Sequence, residues 1–401
     1  MGRHRVRVVP PLDHVRLVEI LRKLDVDEGG VRIMAPKGIH RLLWVEGFST
    51  RGANILKQEM LARGGEVALP RAASLLSGKT TSCLIMGTLS QLRSLVAKLR
   101  GQAVFGLAGL AEEIETALAV TEEDLRWDCR GRIFDLGERS LIMGILNVTP
   151  DSFSDGGRYH GLTAAVERAK TMAKEGAVII DVGGESTRPG APEVPVAEEL
   201  ARVLPVVEAL VAELDLPVSV DTRRGEVAQR VLDAGASLIN DVSGDPEPEL
   251  LRAVAEHGAG LVLMHNGRGR TYTEFWSDVY RGLAGMLEGA RAAGIGEEKV
   301  AVDPGIGFGK TVEQNLELVR GVGSLSSLGR PILLGPSRKS FIGAALDLPV
   351  EERLEGTLAC VAVGVFQGAH ILRVHDVRAG ARVARLADRL RGRGEEELGQ
   401  H

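Results

Sequence analysis

Aromatic side chains are scarce in this 401-residue chain, at 3% of its residues, and cysteine is scarcer, at three. So little Phe, Tyr and Trp argues against a sandwich of aromatic-rich strands. Cys83, Cys129 and Cys360 lie far apart, with no CxxC pair and no Cys/His spacing. That pattern excludes a disulfide framework and a structural zinc site, fits a reducing cytosol, and gives a cytoplasmic location as the expectation. An excess of one charge is also missing: 49 Lys and Arg stand against 54 Asp and Glu, a net charge of −5. Such a balance offers no bulk field for nucleic acid, so no nucleic-acid partner is expected. Long apolar runs are absent too. The longest charge-free stretch, Gly356 to Leu372, is short for a membrane span and carries Gln367 and His370, so it reads as a buried helix running into a strand. No membrane association is expected. At the N-terminus, Pro10, Pro11 and Asp13 arrive where a secretion signal would need its apolar core, so none is read there.

What the chain does have is a hydrophobic share of 44% and 50 glycines. The first supplies a sizeable core, and the second suits an α/β protein with many tight strand-to-helix corners. The length indicates two domains, or one large barrel with an appendage.

From about Leu141 onward, short aliphatic runs ending in a polar residue alternate with amphipathic segments. This rhythm predicts βα units, with strands at 141–146, 178–182, 217–221, 237–241, 260–265, 299–303, 331–335 and 369–374. Helices are expected at 163–175, 197–214, 224–234, 248–257, 312–320, 353–366 and 377–390. Eight strands close a (β/α)8 TIM barrel. A doubly wound open sheet shares the alternation but would need a glycine fingerprint after its first strand, and Asn147-Val148-Thr149-Pro150 lacks one. Residues 1–135 read as a smaller α/β domain and 136–401 as the barrel domain. In the first domain, helices are expected at 12–24 and 53–62, and strands at 31–34, 41–45 and 84–86. Ser49-Thr50 would cap the second helix and Arg63-Gly64-Gly65 would stop it. The acid-rich stretch 112–124, running into Arg126-Trp127-Asp128, reads as a helix and linker. No catalytic constellation is visible there, and a packing or assembly role is the plain reading.

Chemistry in a barrel stands on the loops that follow the strands. At those positions the chain places Asn147, Asp181, Asp221, Asn240-Asp241, Met264-His265, Asp303, Ser337-Arg338-Lys339 just past Gly335, and Arg373-Val374-His375-Asp376. One such acid is ordinarily the N-cap of the next helix. Seven or eight on one rim are not explained that way. Asn147, Lys339, Arg373 and His375 bracket the seam between the last strand and the first, where barrels commonly hold phosphate. Asp181, Asp221, Asn240 and Asp303 face it, and carboxylates suit a flat heterocycle with adjacent N–H groups. The ligand expected is an anionic ester of a nitrogen-rich ring. Two long polar loops, at 147–157 and 183–190, read as lids. Two lysine motifs are decoys for a nucleotide loop: Gly309-Lys310-Thr311 has Pro304 where the first glycine belongs, and Gly78-Lys79-Thr80 has Ala73.

These segments, from Leu141 through Gly157, Ile180 through Ala191, Ser219-Val220-Asp221-Thr222, Ile239-Asn240-Asp241, Leu263-Met264-His265, Asp303 through Lys310, Ser337 through Ser340 and Arg373 through Asp376, resemble the signature segments of dihydropteroate synthase. The resemblance covers about residues 139–390, in that family's order, whereas the N-terminal third has no counterpart in the compact bacterial enzymes. It implies a reaction joining 4-aminobenzoate to 6-hydroxymethyl-7,8-dihydropterin diphosphate, with Mg²⁺ as cofactor. By motif, Asp221, Asn240, Met264, Asp303, Lys339 and Arg373 would hold the pterin. Asn147, Arg373 and His375 would hold the diphosphate, Asn147 also serving the metal. Phe153, Thr187, Arg188, Pro189, Phe308 and Ser337 would form the aminobenzoate pocket, which sulfonamides share. Asp221, Lys339, Arg373 and Asp181 would carry catalysis, Asp181 by orienting the lid loops. The family's habit of pairing barrels implies a homodimer through the last helices. One departure is Asn266-Gly267-Arg268-Gly269-Arg270, where that family usually continues with Met and a Gly/Pro stretch; the two arginines read as solvated loop charges. Rival readings are a pterin-dependent methyltransferase of the same barrel superfamily, a synthase using a different arylamine, and a non-catalytic pterin-sensing protein.

Overall fold

The computed structural model describes residues 6–10, 12–119, 125–148, 157–185 and 193–394, with backbone alone at 157–160. The chain divides after Ala119 into two compact units. The first is an α/β unit, as expected, built on strands β1 (His40–Ser49), β2 (Glu66–Ala68) and β3 (Thr80–Thr88) in the order β1-β3-β2, all antiparallel neighbours. Ser49 caps the helix Thr50–Leu61, its hydroxyl accepting from the Gly52 N–H, and Thr88 with Gln91 forms a capping box on Leu89–Leu99. These two helices bury Leu56, Met60, Leu92, Leu95 and Leu99 against Ile85 of β3. The strand expected at 31–34 is instead part of the helix Glu28–Gly38. Its start is fixed by Asp27, whose carboxylate accepts from the Gly30 N–H, and its two buried residues, Val31 and Ala35, stand one turn apart. A cap and tertiary burial override the β-preference of Val31-Arg32-Ile33.

The second unit opens with a hairpin, β4 (Arg126–Cys129) and β5 (Arg132–Asp135), so the division falls earlier than the boundary near 135 that the rhythm suggests, and Trp127 lies in a strand where a linker is expected. The barrel follows: β6 (Leu141–Asn147), β7 (Ile179–Gly183), β8 (Val218–Asp221), β9 (Leu238–Asp241), β10 (Gly260–Met264), β11 (Val300–Asp303), β12 (Leu333–Leu334) and β13 (Ile371–Val374). Every neighbouring pair is parallel, from β11 round to β12, and a parallel bridge between Val302 and Ile332 closes the ring. A further helix, Phe275–Ala292, covers the β10-to-β11 crossover. Its glycines obscure the helical pattern in sequence, and Gly282 is there for clearance, since a Cβ would come 2.8 Å from the His265 ring.

Alternation along the strands sorts the core into two shells. Ile180, Val182, Val220, Ile239, Leu261, Leu263, Val302 and Leu372 point outward under the helices. Met143, Ile179, Leu238, Val262, Ala301, Leu333 and Ile371 point into the barrel, where the hairpin's Trp127 and Cys129 join them. Trp127 is fully buried and its indole N–H donates to the Lys299 carbonyl at 3.0 Å. Phenylalanine at 127 removes that donor and leaves the carbonyl unpaired, so a loss of about 2 kcal/mol in urea unfolding is expected, with turnover unchanged.

Candidate active site

The inward shell carries the chemistry. Side chains two positions apart on a strand point the same way, so each interior apolar residue is followed by a polar one nearer the strand's end. Ile179 precedes Asp181, Leu238 precedes Asn240, Ala301 precedes Asp303 and Ile371 precedes Arg373. Ser219 and Asp221 continue the pattern on β8, and Val262 and Met264 on β10. These groups form one polar layer resting on the barrel's apolar floor. Asp181, Asp221, Asn240, Met264 and Asp303 are all buried.

Arg373 ties the layer together. Its Nε donates to Asp181 at 2.6 Å and its Nη2 to Asp221 at 2.9 Å, a bridge across residues far apart in the chain. Asn240 donates from its amide to the same Asp181 oxygen at 3.3 Å. Burial pushes the Asp221 carboxyl well above the usual carboxylate range, Arg373 opposes that, and the nearby Asp181 adds to it. Asp303 is likewise raised by burial, with Lys339 and the Gly305 N–H, which donates to it at 2.7 Å, holding it back. Burial lowers Lys339 to about 8 despite the facing Asp303. Its ammonium donates to the Ile306 carbonyl and lies 4.4 Å from the centre of the Phe308 ring. Two buried acceptors, Asp181 Oδ1 and Asn240 Oδ1, have no hydrogen-bond partner among the described residues. Unpaired acceptors in a low-dielectric site are costly unless a ligand supplies donors.

Two residues past Arg373, just beyond β13, His375 is hydrogen-bonded with Ser337. The His375 N–H donates to Ser337 Oγ at 3.1 Å and the hydroxyl lies 2.8 Å from Nδ1, which places the ring's other nitrogen toward the Asn147 amide, 3.5 Å away. Ser337, expected in the aminobenzoate set, thus contacts His375, expected in the diphosphate set. Its loop is set by Arg338, which adopts φ 53°, donates its N–H to Thr357 Oγ1 at 2.9 Å and forks onto Asp376 at 2.8 and 3.0 Å. Residue order does not show this fixture, since there Arg338 is simply the middle of Ser337-Arg338-Lys339 past Gly335. His265 is excluded as a base, because burial, aided by Lys310 and Arg270, lowers it to about 3. Asn266 and Arg270 are tied to the loop after β9, their side chains donating to the Val242 and Gly244 carbonyls, and Arg268 is exposed over the Phe308 ring at 5.6 Å. Phe153, Thr187, Arg188 and Pro189, with most of both expected lids, lie outside the described residues.

Residues 143–375 match the pterin binding enzyme family. A dihydropteroate synthase from Synechocystis is 48% identical over 267 residues, covering 64% of this chain and 92% of that protein. A probable bifunctional folylpolyglutamate synthase/dihydropteroate synthase from Halobacterium salinarum is 39% identical over 394 residues, 96% of this chain and 46% of that one, so the likeness there includes the N-terminal unit. Among solved structures, the dihydropteroate synthase of Xanthomonas albilineans with 4-aminobenzoic acid superposes with a TM-score of 0.63 at 44% identity, covering 66% of this chain and 97% of that one. With the barrel, the ordered rim and nearly the whole of the Synechocystis protein matched, this chain belongs to the dihydropteroate synthase family of pterin-binding enzymes.

Proposed function

We infer that the barrel condenses 6-hydroxymethyl-7,8-dihydropterin diphosphate with 4-aminobenzoate, forming dihydropteroate and releasing pyrophosphate. The observation that carries the reading is the polar layer itself: buried carboxylates bridged by Arg373, two unpartnered acceptors, and the linked Ser337, His375 and Asn147 side chains at the same strand ends. A pterin edge supplies the donors the acceptors lack, and its diphosphate reaches the cluster. The C–O bond to the diphosphate breaks with its electron pair leaving on pyrophosphate. The cation left on the methylene carbon is delocalised into the ring, where Asp221 and Asp303 stabilise it. The amine of 4-aminobenzoate then forms the new C–N bond and sheds one proton. A weakly basic arylamine needs orientation and exclusion of water more than a strong base, and Phe308 and Ser337 would line its site, along with the four residues named above beyond the described ones. Sulfonamides would compete there.

Mg²⁺ is proposed as the cofactor. Among the described residues no group of three or more His, Cys, Asp or Glu could hold a metal. Mg²⁺ commonly takes one or two protein oxygens, with substrate phosphates and water completing its shell, so the amide oxygen of Asn147 beside the diphosphate cluster fits. Bound there, it would neutralise charge on the departing pyrophosphate. A homodimer through the last helices is proposed on the exposed apolar side chains of Leu354–Phe366 and Val377–Arg391: Val363, Phe366, Leu386 and Leu390. No helix among the described residues is long and apolar enough to cross a membrane. A cytoplasmic location is proposed on the three free cysteines, two of them buried.

The test is pyrophosphate release by the full chain. Release is expected with the pterin diphosphate and 4-aminobenzoate together, to be slower with a bulkier arylamine, and to fall about tenfold or more when a chelator removes Mg²⁺. Release that ignores the arylamine would exclude the synthase reading; methyl transfer from a methylated folate would favour the methyltransferase.

A further inference from the structure

Lys310 ends the glycine run that resembles a nucleotide loop, and it reaches for no phosphate. Its side chain folds back into the loop, where Nζ donates to three backbone carbonyls: Gly305 at 2.9 Å, His265 at 3.0 Å and Phe308 at 3.3 Å. An ammonium has three donors, and here all three are used. No carboxylate lies within ion-pair distance of it among the described residues. Burial lowers its pKa to about 7, with the charge of Asp303 opposing that fall, and the three carbonyls are its hydrogen-bond partners.

The three carbonyls belong to two loops. His265 follows β10, while Gly305 and Phe308 follow β11, and the loops touch backbone to backbone. A Cβ on Gly305 would come 2.0 Å from the His265 oxygen, and one on Gly309 would come 2.4 Å from the Arg268 nitrogen. Both glycines are left-handed, at φ 72° and 62°. The Gly267 N–H donates to the Phe308 carbonyl at 3.1 Å, so that one oxygen receives from both Lys310 and the fifth-strand loop. The ring of the same Phe308 faces Lys339.

We propose that Lys310 is a positioning residue that cross-links the loops after β10 and β11 through three backbone carbonyls and thereby holds the Phe308 ring where the arylamine docks. The second half rests on the reading of Phe308 as an arylamine contact. The spacing that makes the segment look like a nucleotide loop is on this account an internal clasp: glycines let two backbones meet, and the lysine closes them.

The experiment uses the full chain with Lys310→Ala, Lys310→Met and Phe308→Ala. For both Lys310 variants, KM for 4-aminobenzoate is expected to rise about tenfold or more, with kcat and the Kd for the pterin diphosphate within about threefold of the parent. Propylammonium, which restores the missing cation and its donors, should lower KM for Lys310→Ala and leave Lys310→Met and the parent unmoved. Exchange of the Gly267 amide should quicken about tenfold in Lys310→Met. An unchanged arylamine KM, an equal loss of pterin affinity, absence of rescue, or failure of both variants to fold would each overturn the proposal. If Phe308→Ala leaves the arylamine KM unmoved, the reading of that pocket fails; the Gly267 exchange still decides the cross-link.

Discussion

Replacing Asp221 with Asn is expected to lower kcat by about 10²–10³-fold, far more than it weakens binding of the pterin diphosphate. Asparagine keeps the shape and can still accept from Arg373, so the change isolates one negative charge. On the proposed reading, that charge matters most when positive charge develops on the pterin and least when the diphosphate binds, because Arg373, Asn147 and His375 would meet the anion. The pH profile supplies a second check. Asp221 is held above the ordinary carboxylate range by burial, so on acidification it takes up a proton earlier than an ordinary Asp and activity falls. On the alkaline side, activity declines as Lys339 loses its proton at about 8. Asp221→Asn should flatten the acid limb and keep the alkaline one. An unchanged kcat would refute the cation-stabilising role.

Arg373→Met is expected to cost about 3–5 kcal/mol of stability at pH 8, because it leaves Asp181 and Asp221 buried without their cation. The sign with pH follows from linkage. Without Arg373, the buried Asp221 carboxyl holds its proton more tightly in the native protein than in the unfolded chain. Relative to the parent, the variant is therefore least compromised at acidic pH and loses ground as pH rises toward the raised native pKa of Asp221. Urea unfolding at acidic and alkaline pH measures the difference. A deficit of the same size at both, or none at either, would mean that Arg373 does not neutralise the layer. Affinity for the pterin diphosphate should fall about a hundredfold in the same variant, since on the proposed reading the guanidinium also serves the anion.

Much of this site can be read from residue order alone because a strand has a period of two. Once 179–183 or 300–303 is recognised as a buried strand, an acid near its end must point either inward or under a helix, and the interior apolar residue two places earlier decides which. In sequence, Asp181, Asp221, Asn240, Asp303 and Arg373 stand together because each lies at or near the end of an expected strand, and the barrel strands fall within a few residues of where they are expected. Legibility failed where a residue acts through backbone. Nothing in the letters of Gly309-Lys310-Thr311 says that the ammonium turns back onto carbonyls, and nothing in Ser337-Arg338-Lys339 says that the middle residue takes a left-handed conformation. It failed too where caps and glycines blur periodicity: Asp27 makes a helix of a β-branched stretch, and the glycines within Phe275–Ala292 hide one.

The hairpin β4–β5 governs how the molecule could be shortened. A chain trimmed to begin at 136 would retain the whole polar layer yet lack the indole and thiol that line the foot of the cylinder, exposing Met143, Leu238 and Ile371 to water from below. Whoever moves this enzyme into another context must therefore carry the stretch from Leu125 along with it, as the stopper without which the vessel does not hold.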